Sequence, residues 1–365
     1  MNKTITCLLA TLLTFTHILA QTDADGVRTW DKGGQMQADI CVYGATSGGI
    51  TAALTAKRMG KSVILVEPSR RIGGLTAGGL GKTDVGRVEI IQGLAMDFYR
   101  RVGTIYGKAD AVFDFEPKVA LAAYEQMLRE DNLLVQMERR VIKVKKKGNR
   151  LREIVLEDAS QRHRKHLCIE ASEFIDCSYE GDLMARAGVS YTVGREPNSQ
   201  YGETYNGMQM LDKHQFPDGV DPYREKGNPE SGLLWGIMEG DMGQTGQGDK
   251  RVQAYNFRIT MTNDPHNRIP ITRPENYDST RYELLVRWKE TDPWRSDKLR
   301  DCFAWDLMTN PTKTDINNNQ AFSTDMIGYS WDYPEASYKQ RERIFKEHLD
   351  YTKGLLWFVA SDPRV

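Results

Sequence analysis

The chain has 365 residues, enough for two domains of ordinary size, each with its own core. Its 49 basic and 50 acidic residues nearly cancel, which excludes the charge signature of a nucleic-acid binder or of a protein held to an anionic membrane surface. Beyond residue 20 no apolar run is long enough to span a bilayer, so no stable membrane insertion is expected and the partner is read as a small molecule.

The first twenty residues read as a signal peptide. Lys3 supplies a short positive region, Ile5 to Ala20 an apolar one, and Ile18-Leu19-Ala20 places a small residue at the cut before Gln21. The expectation is export to the periplasm or beyond. Four cysteines follow, Cys41, Cys168, Cys177 and Cys302, without any C-x-x-C. Cys41 and Cys177 fall inside apolar strand patterns, where a thiol acts as a small hydrophobe, so neither a redox disulfide nor an iron–sulfur cluster is expected.

The chain is organised around the stretch from Asp39 to Gly81. Ile40 to Tyr43 has the composition of a buried strand, and Gly44 turns it. From Gly49 to Met59 the spacing of Ile50, Ala53, Leu54 and Ala56 predicts a helix with a narrow, alanine-rich face, which Gly60 ends. Ser62 to Val66 is a second strand, and it finishes on Glu67. A helix starting directly after a strand leaves its first amides free and its positive dipole end open to a diphosphate, and Gly44, Gly48 and Gly49 clear the approach. Ser47 lies in the same turn. Glu67, about 20 residues on, is placed to accept from the hydroxyls of an adenosine ribose. In G-x-G-x-x-G register Thr46 replaces the middle glycine, and such a turn taken alone is also an ordinary strand-to-helix connection. The order strand, turn, helix, strand, acid favours the phosphate reading.

A second glycine-rich loop follows, Ile72-Gly73-Gly74-Leu75-Thr76-Ala77-Gly78-Gly79-Leu80-Gly81, which a nicotinamide-only domain has no reason to carry. Together the two loops resemble the flavoproteins with a glutathione-reductase type of FAD domain. More closely, the chain is similar to secreted FAD-dependent oxidoreductases that read VYGxTSxGIxAAxxAxRMGKSVxLVEP and then GGLTxGGLGxTD. Later blocks, among them IDCSYEGDLMARAGVSYTVGRE, GDKRVQAYNFR and AFSTDMIGYSWDYPEA, share that resemblance over nearly the whole chain. Wider relatives include the flavin subunit of heterodisulfide reductase, whose iron–sulfur ligands have no counterpart here. The resemblance implies an α/β fold: a Rossmann-like FAD-binding domain at 38–190 and an inserted α+β substrate or cap domain at 191–365. It also implies FAD, with Gly44, Ser47, Gly48 and Gly49 at the diphosphate, Glu67 at the ribose, and Gly73, Gly74, Leu75 and Thr76 nearer the flavin.

Downstream, Val88 to Gly103 reads as one helix with Ile91, Leu94, Ala95, Phe98 and Tyr99 on a face, and Glu116-Pro117 opens another through Arg129. Leu133–Met137, Val141–Lys145 and Leu151–Leu156 read as strands, the last two joined at Gly148-Asn149. The resemblance makes this hairpin, at about 132–157, the crossover lying over the sheet, with the Val141 backbone at the adenine edge. Val141 is equally compatible with a core position. Glu173 to Cys177 is a further strand, leading through Gly181 into a helix that begins at Asp182. The resemblance brings Gly181 and Asp182 toward the cofactor, although an acid at a helix start is favoured without any ligand. In the basic run Arg162 to His166, the pair His163 and His166 points to opposite faces of a strand, so a solvated charge run is expected and no metal.

From Tyr191 the periodicity weakens. Lys250 to Met261 alternates and reads as a strand with Gln253, Tyr255 and Arg258 as polar candidates. Asn317-Asn318-Asn319 and Ser330-Trp331-Asp332-Tyr333 are of the residue types that bind sugars, and equally of those that fill irregular interfaces. No catalytic base stands out; His214 and His266 are loop histidines. Tyr338 to Ala360 reads as an amphipathic helix bearing Ile344, His348, Tyr351, Leu355 and Phe358. After it the chain stops without the segment that, in the resembled fold, returns to the FAD domain, so a truncated product is expected. The function expected is hydride transfer between a small organic, sugar-like substrate and FAD. The alternatives are an NAD-dependent dehydrogenase and a non-catalytic carbohydrate-binding accessory protein; no arrangement of Tyr, His and Arg supports a polysaccharide lyase. Oligomeric state is not legible.

Overall fold

The computed structural model describes residues 21–22, 28–29, 34–160, 164–211, 213–292 and 302–365. The signal-peptide reading at 1–20 and the His163 half of the histidine pair therefore lie outside the described residues.

Four parallel pairings form the centre of the fold. Strand β3 (Gly34–Tyr43) lies between β4 (Val63–Glu67) and β8 (Leu167–Asp176); β5 (Val135–Met137) and then β2 (Arg28–Thr29) continue beyond β4. A short β1 (Gln21–Thr22) adds antiparallel to β2. Parallel strands are covered on both faces, which is why they read as unbroken apolar runs: Cys41, Val42, Tyr43, Leu65 and Val66 are fully buried. Beyond β8 the hairpin of β6 (Arg139–Lys147) and β7 (Arg150–Asp158) joins antiparallel, with Ile154 opposite Ile169. This corrects the expected crossover. The hairpin extends the same eight-stranded sheet instead of lying over it, because the ten-residue β8 runs far enough back to pair with β3 on one side and β7 on the other. The fold is α/β with a parallel-rich, Rossmann-like sheet.

Helix α1 (Ser47–Arg58) crosses from β3 to β4 and buries Ile50, Ala53 and Leu54 completely. It starts two residues before the expected Gly49, because Thr46 caps it by accepting from the Gly49 amide at 3.2 Å. After the short α2 (Gly74–Gly78), the stretch read as one helix from Val88 is two elements. Residues 88–90 form a 3-10 turn, Ile91 and Gln92 are extended, and α3 covers Gly93–Ile105. Gly93, at φ 59°, interrupts the backbone, so Ile91 falls outside the helix and Ala95 is exposed. Helix α4 (Pro117–Glu130) starts on its proline as expected and stacks Tyr124 on Phe98 with ring centroids 4.3 Å apart.

The C-terminal part packs a second core. Among its elements, β9 (Tyr223–Glu225) pairs with β10 (Asn228–Leu233), and β11 (Ile259–Thr262), β12 (Phe303–Leu307) and β13 (Lys313–Asn318) form an antiparallel sheet in the order β11-β13-β12. The strand expected over Lys250–Met261 survives only at its end. Residues 251–258 have no ladder partner and run as irregular chain, the pairing with β13 stopping at Ile259 opposite Ile316. Helices α5 (Asp182–Arg186) and α6 (Asn198–Tyr201) are short; α7 (Glu283–Thr291) and the 24-residue α8 (Tyr338–Ser361) close the core. Helix α8 starts on a capping box between Ser337 and Gln340, and its Ile344, His348, Tyr351, Leu355 and Phe358 are all buried, as the periodicity predicts. Among the described residues no helix is long and apolar enough to cross a membrane.

Buried ion pairs join the two parts. Lys313 reaches Glu116 at 2.5 Å, and Arg341 on α8 reaches Asp182 at 2.8 Å. Burial opposes ionisation of Glu116, but the Lys313 ammonium outweighs it and holds the carboxyl below its usual range.

Candidate functional site

The order of strands reverses at β3, with β4 and β5 on one side and β8 on the other, and the crevice outside the carboxyl ends of such strands is where open α/β sheets bind ligands. Three segments meet there: the Gly44 turn after β3, Glu67 at the end of β4, and residues 177–180 after β8.

The turn is tight. Gly44 has φ 97°, and a Cβ on Gly49 would lie 1.8 Å from the Gly44 carbonyl oxygen. Thr46, at the position where a glycine was missing from the motif, donates its hydroxyl to the Cys177 carbonyl at 2.9 Å while accepting from Gly49. It thus ties the start of α1 to the end of β8. The Ser47 amide faces the Gly73 carbonyl in a parallel bridge between the two loops, whereas the Gly48 amide has no acceptor among the described residues, and Gly48 is exposed with nothing but the Thr46 hydroxyl within 4 Å of a Cβ. A free amide at the positive end of a 12-residue helix, on an open glycine, is a donor that a phosphate can use.

Glu67 is 7% exposed, and its two oxygens accept from the amides of Ala45 and Ser69, each at 2.8 Å. Burial pushes its carboxyl above the usual range, against the pull of those amides. The residue read as a ribose acceptor therefore also clamps the first glycine turn to the turn that follows β4. Ala45 itself meets the second glycine loop, accepting from the Gly73 amide at 2.7 Å.

The second loop has two separate tasks. Gly73, at φ 87°, faces α4, where a Cβ would lie 2.7 Å from the Tyr124 ring, and Gly74, at φ 53°, faces the loop after β8, where a Cβ would run into the Tyr179 hydroxyl. Tyr124 presents its hydroxyl to both Thr76 and Ser47. Gly79 and Gly81 face the C-terminal part instead, where a Cβ would press on the Arg258 side chain and on Met308 and Asp315. The loop is glycine-rich because both parts of the molecule approach it closely.

Leu75 is half exposed and donates its amide to the Tyr179 hydroxyl at 2.6 Å, and both border a cleft of ≈ 770 Å³ between the two parts, within the range of small-molecule sites. Its far wall brings together most of the polar candidates of the C-terminal half: Gln253, Tyr255, Arg258, Asn317, Asn318 and Tyr333. Asn256 donates to the side-chain oxygens of Asn317 and Asn318 at 3.1 and 3.2 Å, and Asn318 donates to Asp325 at 2.7 Å. Arg258 is engaged by the buried Asp315. Burial raises the carboxyls of Asp325 and Glu180.

Other expected residues are placed differently. Val141 is fully buried, its amide donating to the Tyr43 hydroxyl at 3.2 Å and its carbonyl accepting from Tyr338 at 2.8 Å, so both backbone groups are already engaged. Gly181, at φ 64°, caps α5, and Asp182 is held by Arg341 and Arg186. From that loop it is Tyr179 and Glu180 that line the cleft. His214 accepts from the Gln320 amide at 3.0 Å, and His266 is an exposed loop residue. Sequence reasoning did not single out Tyr179, Asn256 or Asp325 for this wall. No periodic pattern marks them, because they meet only across the junction.

The profile of a family described as "FAD dependent oxidoreductase" matches residues 39–364. No curated protein matches the chain. Similar solved structures include L-amino acid deaminase from Proteus vulgaris, 13% identical with TM-score 0.35, over 47% of this chain and 54% of that one. A flavoprotein/dehydrogenase from Cytophaga hutchinsonii is 16% identical with TM-score 0.34, over 44% of each chain. A 3-ketosteroid-delta4-(5alpha)-dehydrogenase from Rhodococcus jostii RHA1 is 14% identical with TM-score 0.27, over 43% and 48%. This chain spans about half the length of those structures.

Proposed function

The chain belongs to the FAD-dependent oxidoreductase family, and from that membership we propose that it transfers a hydride between FAD and a small, neutral, sugar-like molecule bound in the cleft between its two parts. The residues present fit the cofactor: an unpaired helix amide on an open glycine suits a diphosphate, and a buried acid at the end of the next strand suits a ribose. In this reading Ser47, Gly48 and the Gly44 turn hold the diphosphate, Glu67 the ribose, and the loop from Gly73 to Thr76 the part nearer the flavin. Bound FAD supplies a two-electron acceptor, and the protein's task is binding and orientation.

The observation that carries the substrate class is the far wall of the cleft. Asn256, Asn317 and Asn318 present amide donors and acceptors beside the rings of Tyr255 and Tyr333, a combination that suits hydroxyl groups and the faces of sugar rings. The Arg258 guanidinium is taken up by Asp315, which argues against an acidic substrate. Anaerobic mixing of the FAD-loaded protein with neutral sugars and polyols, and separately with amino acids, tests this. Bleaching of the flavin bands by a neutral polyol is the expected result. Bleaching by amino acids alone would remove the sugar-like reading, and sugar affinity in a protein that takes up no flavin would favour a binding module.

A further inference from the structure

Glu180 borders the cleft from the loop after β8, next to Tyr179, whose hydroxyl meets the second glycine loop at Leu75. Its carboxylate accepts from its own amide and from no other donor among the described residues. Arg341, the cation in reach, spends its guanidinium on Asp182 at 2.8 Å and on the carbonyls of Tyr333 and Pro334. On the opposite wall the rings of Tyr255 and Tyr333 meet edge to face with centroids 5.5 Å apart, and neither hydroxyl has a partner among the described residues. Burial and, after it, the Glu180 charge raise both hydroxyls, so the carboxylate faces the same part of the cleft as they do. Neither the carboxylate nor the Tyr333 hydroxyl is among the polar atoms sealed from solvent, and Tyr255 is 39% exposed. One open acceptor and two open donors therefore confront one another across the cleft, the set that a substrate hydroxyl satisfies, since it gives one hydrogen bond and takes two. Burial, with Asp182 and Asp176 behind it, holds the Glu180 carboxyl above its usual range against the pull of Arg341, and Glu67 lies within reach of its charge. The other titratable groups on the cleft are Arg258, Asp325 and His348.

We propose that the Glu180 carboxylate is the base that takes the hydroxyl proton of an alcohol-bearing substrate in this cleft, with Tyr255 and Tyr333 donating to the same hydroxyl oxygen, a proposal that rests on the oxidoreductase reading above. The substrate O–H bond breaks and its proton passes to the carboxylate, which becomes a carboxylic acid. The carbinol C–H bond breaks in the same oxidation, its hydrogen and both electrons leaving as hydride to the family's flavin oxidant, and the C–O bond becomes a carbonyl. No further reactant is needed. The two tyrosines orient the hydroxyl toward Glu180 and keep their own protons. A carboxyl held above its usual range is a stronger base than a solvated one, and so better matched to a proton transfer near neutral pH.

The test uses the full-length, FAD-loaded protein with glucose, galactose, myo-inositol and glycerol as probes. Glu180→Gln keeps the shape of the side chain without its basicity, and it is expected to lower kcat roughly 10²–10⁴-fold, the usual contribution of a positioned base. Flavin content and melting temperature should stay near wild type, and KM should change far less than kcat. The wild-type kcat should fall toward acid pH as the carboxylate gains its proton. Glu180→Gln should lose that limb, and Glu180→Asp, which keeps a carboxylate, should retain it at a reduced kcat. A second reading needs no turnover: in ¹³C NMR of wild-type protein with labelled glutamate and its flavin reduced beforehand, the carboxyl signal absent from both variants should titrate above the usual carboxylate range and shift when the reactive probe is added. A Glu180→Gln protein with wild-type kcat and pH profile, or a Glu180 carboxyl that titrates in the ordinary range and ignores the probe, overturns the proposal. Loss of flavin from Glu180→Gln would make the residue part of the cofactor site and overturn it too. If none of the four probes reduces the wild-type flavin, the proposal falls while the oxidoreductase reading survives with another substrate class. A protein that takes up no flavin brings down both.

Discussion

Gly49→Ala is expected to destabilise the protein by about 3 kcal/mol or more and to yield a chain without flavin, since overpacking that cannot relax reaches the upper end of its usual cost. The new methyl would sit 1.8 Å from the Gly44 carbonyl oxygen and 3.2 Å from the Cys177 Cβ. The first neighbour is backbone, fixed in turn by the Gly44 amide, which donates to Val66 at 2.8 Å. Relief would require moving α1 away from the sheet, and the fully buried Ile50, Ala53 and Leu54 would lose their packing. Chemical denaturation reports the loss of stability, and a visible spectrum of the soluble fraction reports the loss of flavin. A Gly49→Ala protein as stable as wild type would show that the turn is looser than described.

Glu67→Ala separates two tasks of one side chain. Removing the carboxylate leaves the Ala45 amide buried without its acceptor, at a cost of roughly 1–3 kcal/mol, while the Ser69 amide lies where water can replace the lost bond. If the same carboxylate accepts from the ribose, FAD affinity falls a further tenfold to a hundredfold, the equivalent of about 1.4–2.7 kcal/mol of charge-assisted bonding. The pH dependence has a definite sign. Because burial raises the Glu67 carboxyl in the folded state, the folded protein binds its proton more tightly than the unfolded chain. This contribution to stability is present below the unfolded carboxylate pKa and is lost as pH rises toward the raised folded value. Glu67→Gln should abolish that slope. Equilibrium denaturation across mildly acidic pH checks the slope, and FAD titration checks the affinity.

Much of the first half was legible because its signals are local. A strand, a glycine turn, an alanine-faced helix and a terminal acid follow one another within 30 residues, and each is specified by its own neighbours. Helix α8 was legible for the same reason, its buried stripe from Ile344 to Phe358 being a matter of spacing. What escaped depends on distant partners. Residues 251–258 alternate like a strand, but a strand exists only where it is paired, and the ladder with β13 stops at Ile259. The hairpin of β6 and β7 was read correctly as a hairpin and misplaced in space, since its position follows from the length of β8. Glu67 was recognised as an acid at the right place, while its clamp on Ala45 shows only in three dimensions. His348 was visible within the stripe, but its place on the cleft depends on what α8 faces.

The account turns on the open amide of Gly48 at the start of α1 being the cofactor's anchor, and Gly48→Ala tests that most directly because the substitution harms nothing else. A Cβ there meets only the Thr46 hydroxyl at 3.8 Å, and alanine is the better helix former, so the melting temperature should hold or rise slightly. The measurement is FAD titration of wild type and variant, followed by flavin absorbance. Wild type should bind one FAD per chain, and Gly48→Ala should bind it about tenfold more weakly or worse at undiminished stability. A variant that binds FAD as tightly as wild type, or a wild-type protein that binds none, would contradict the account.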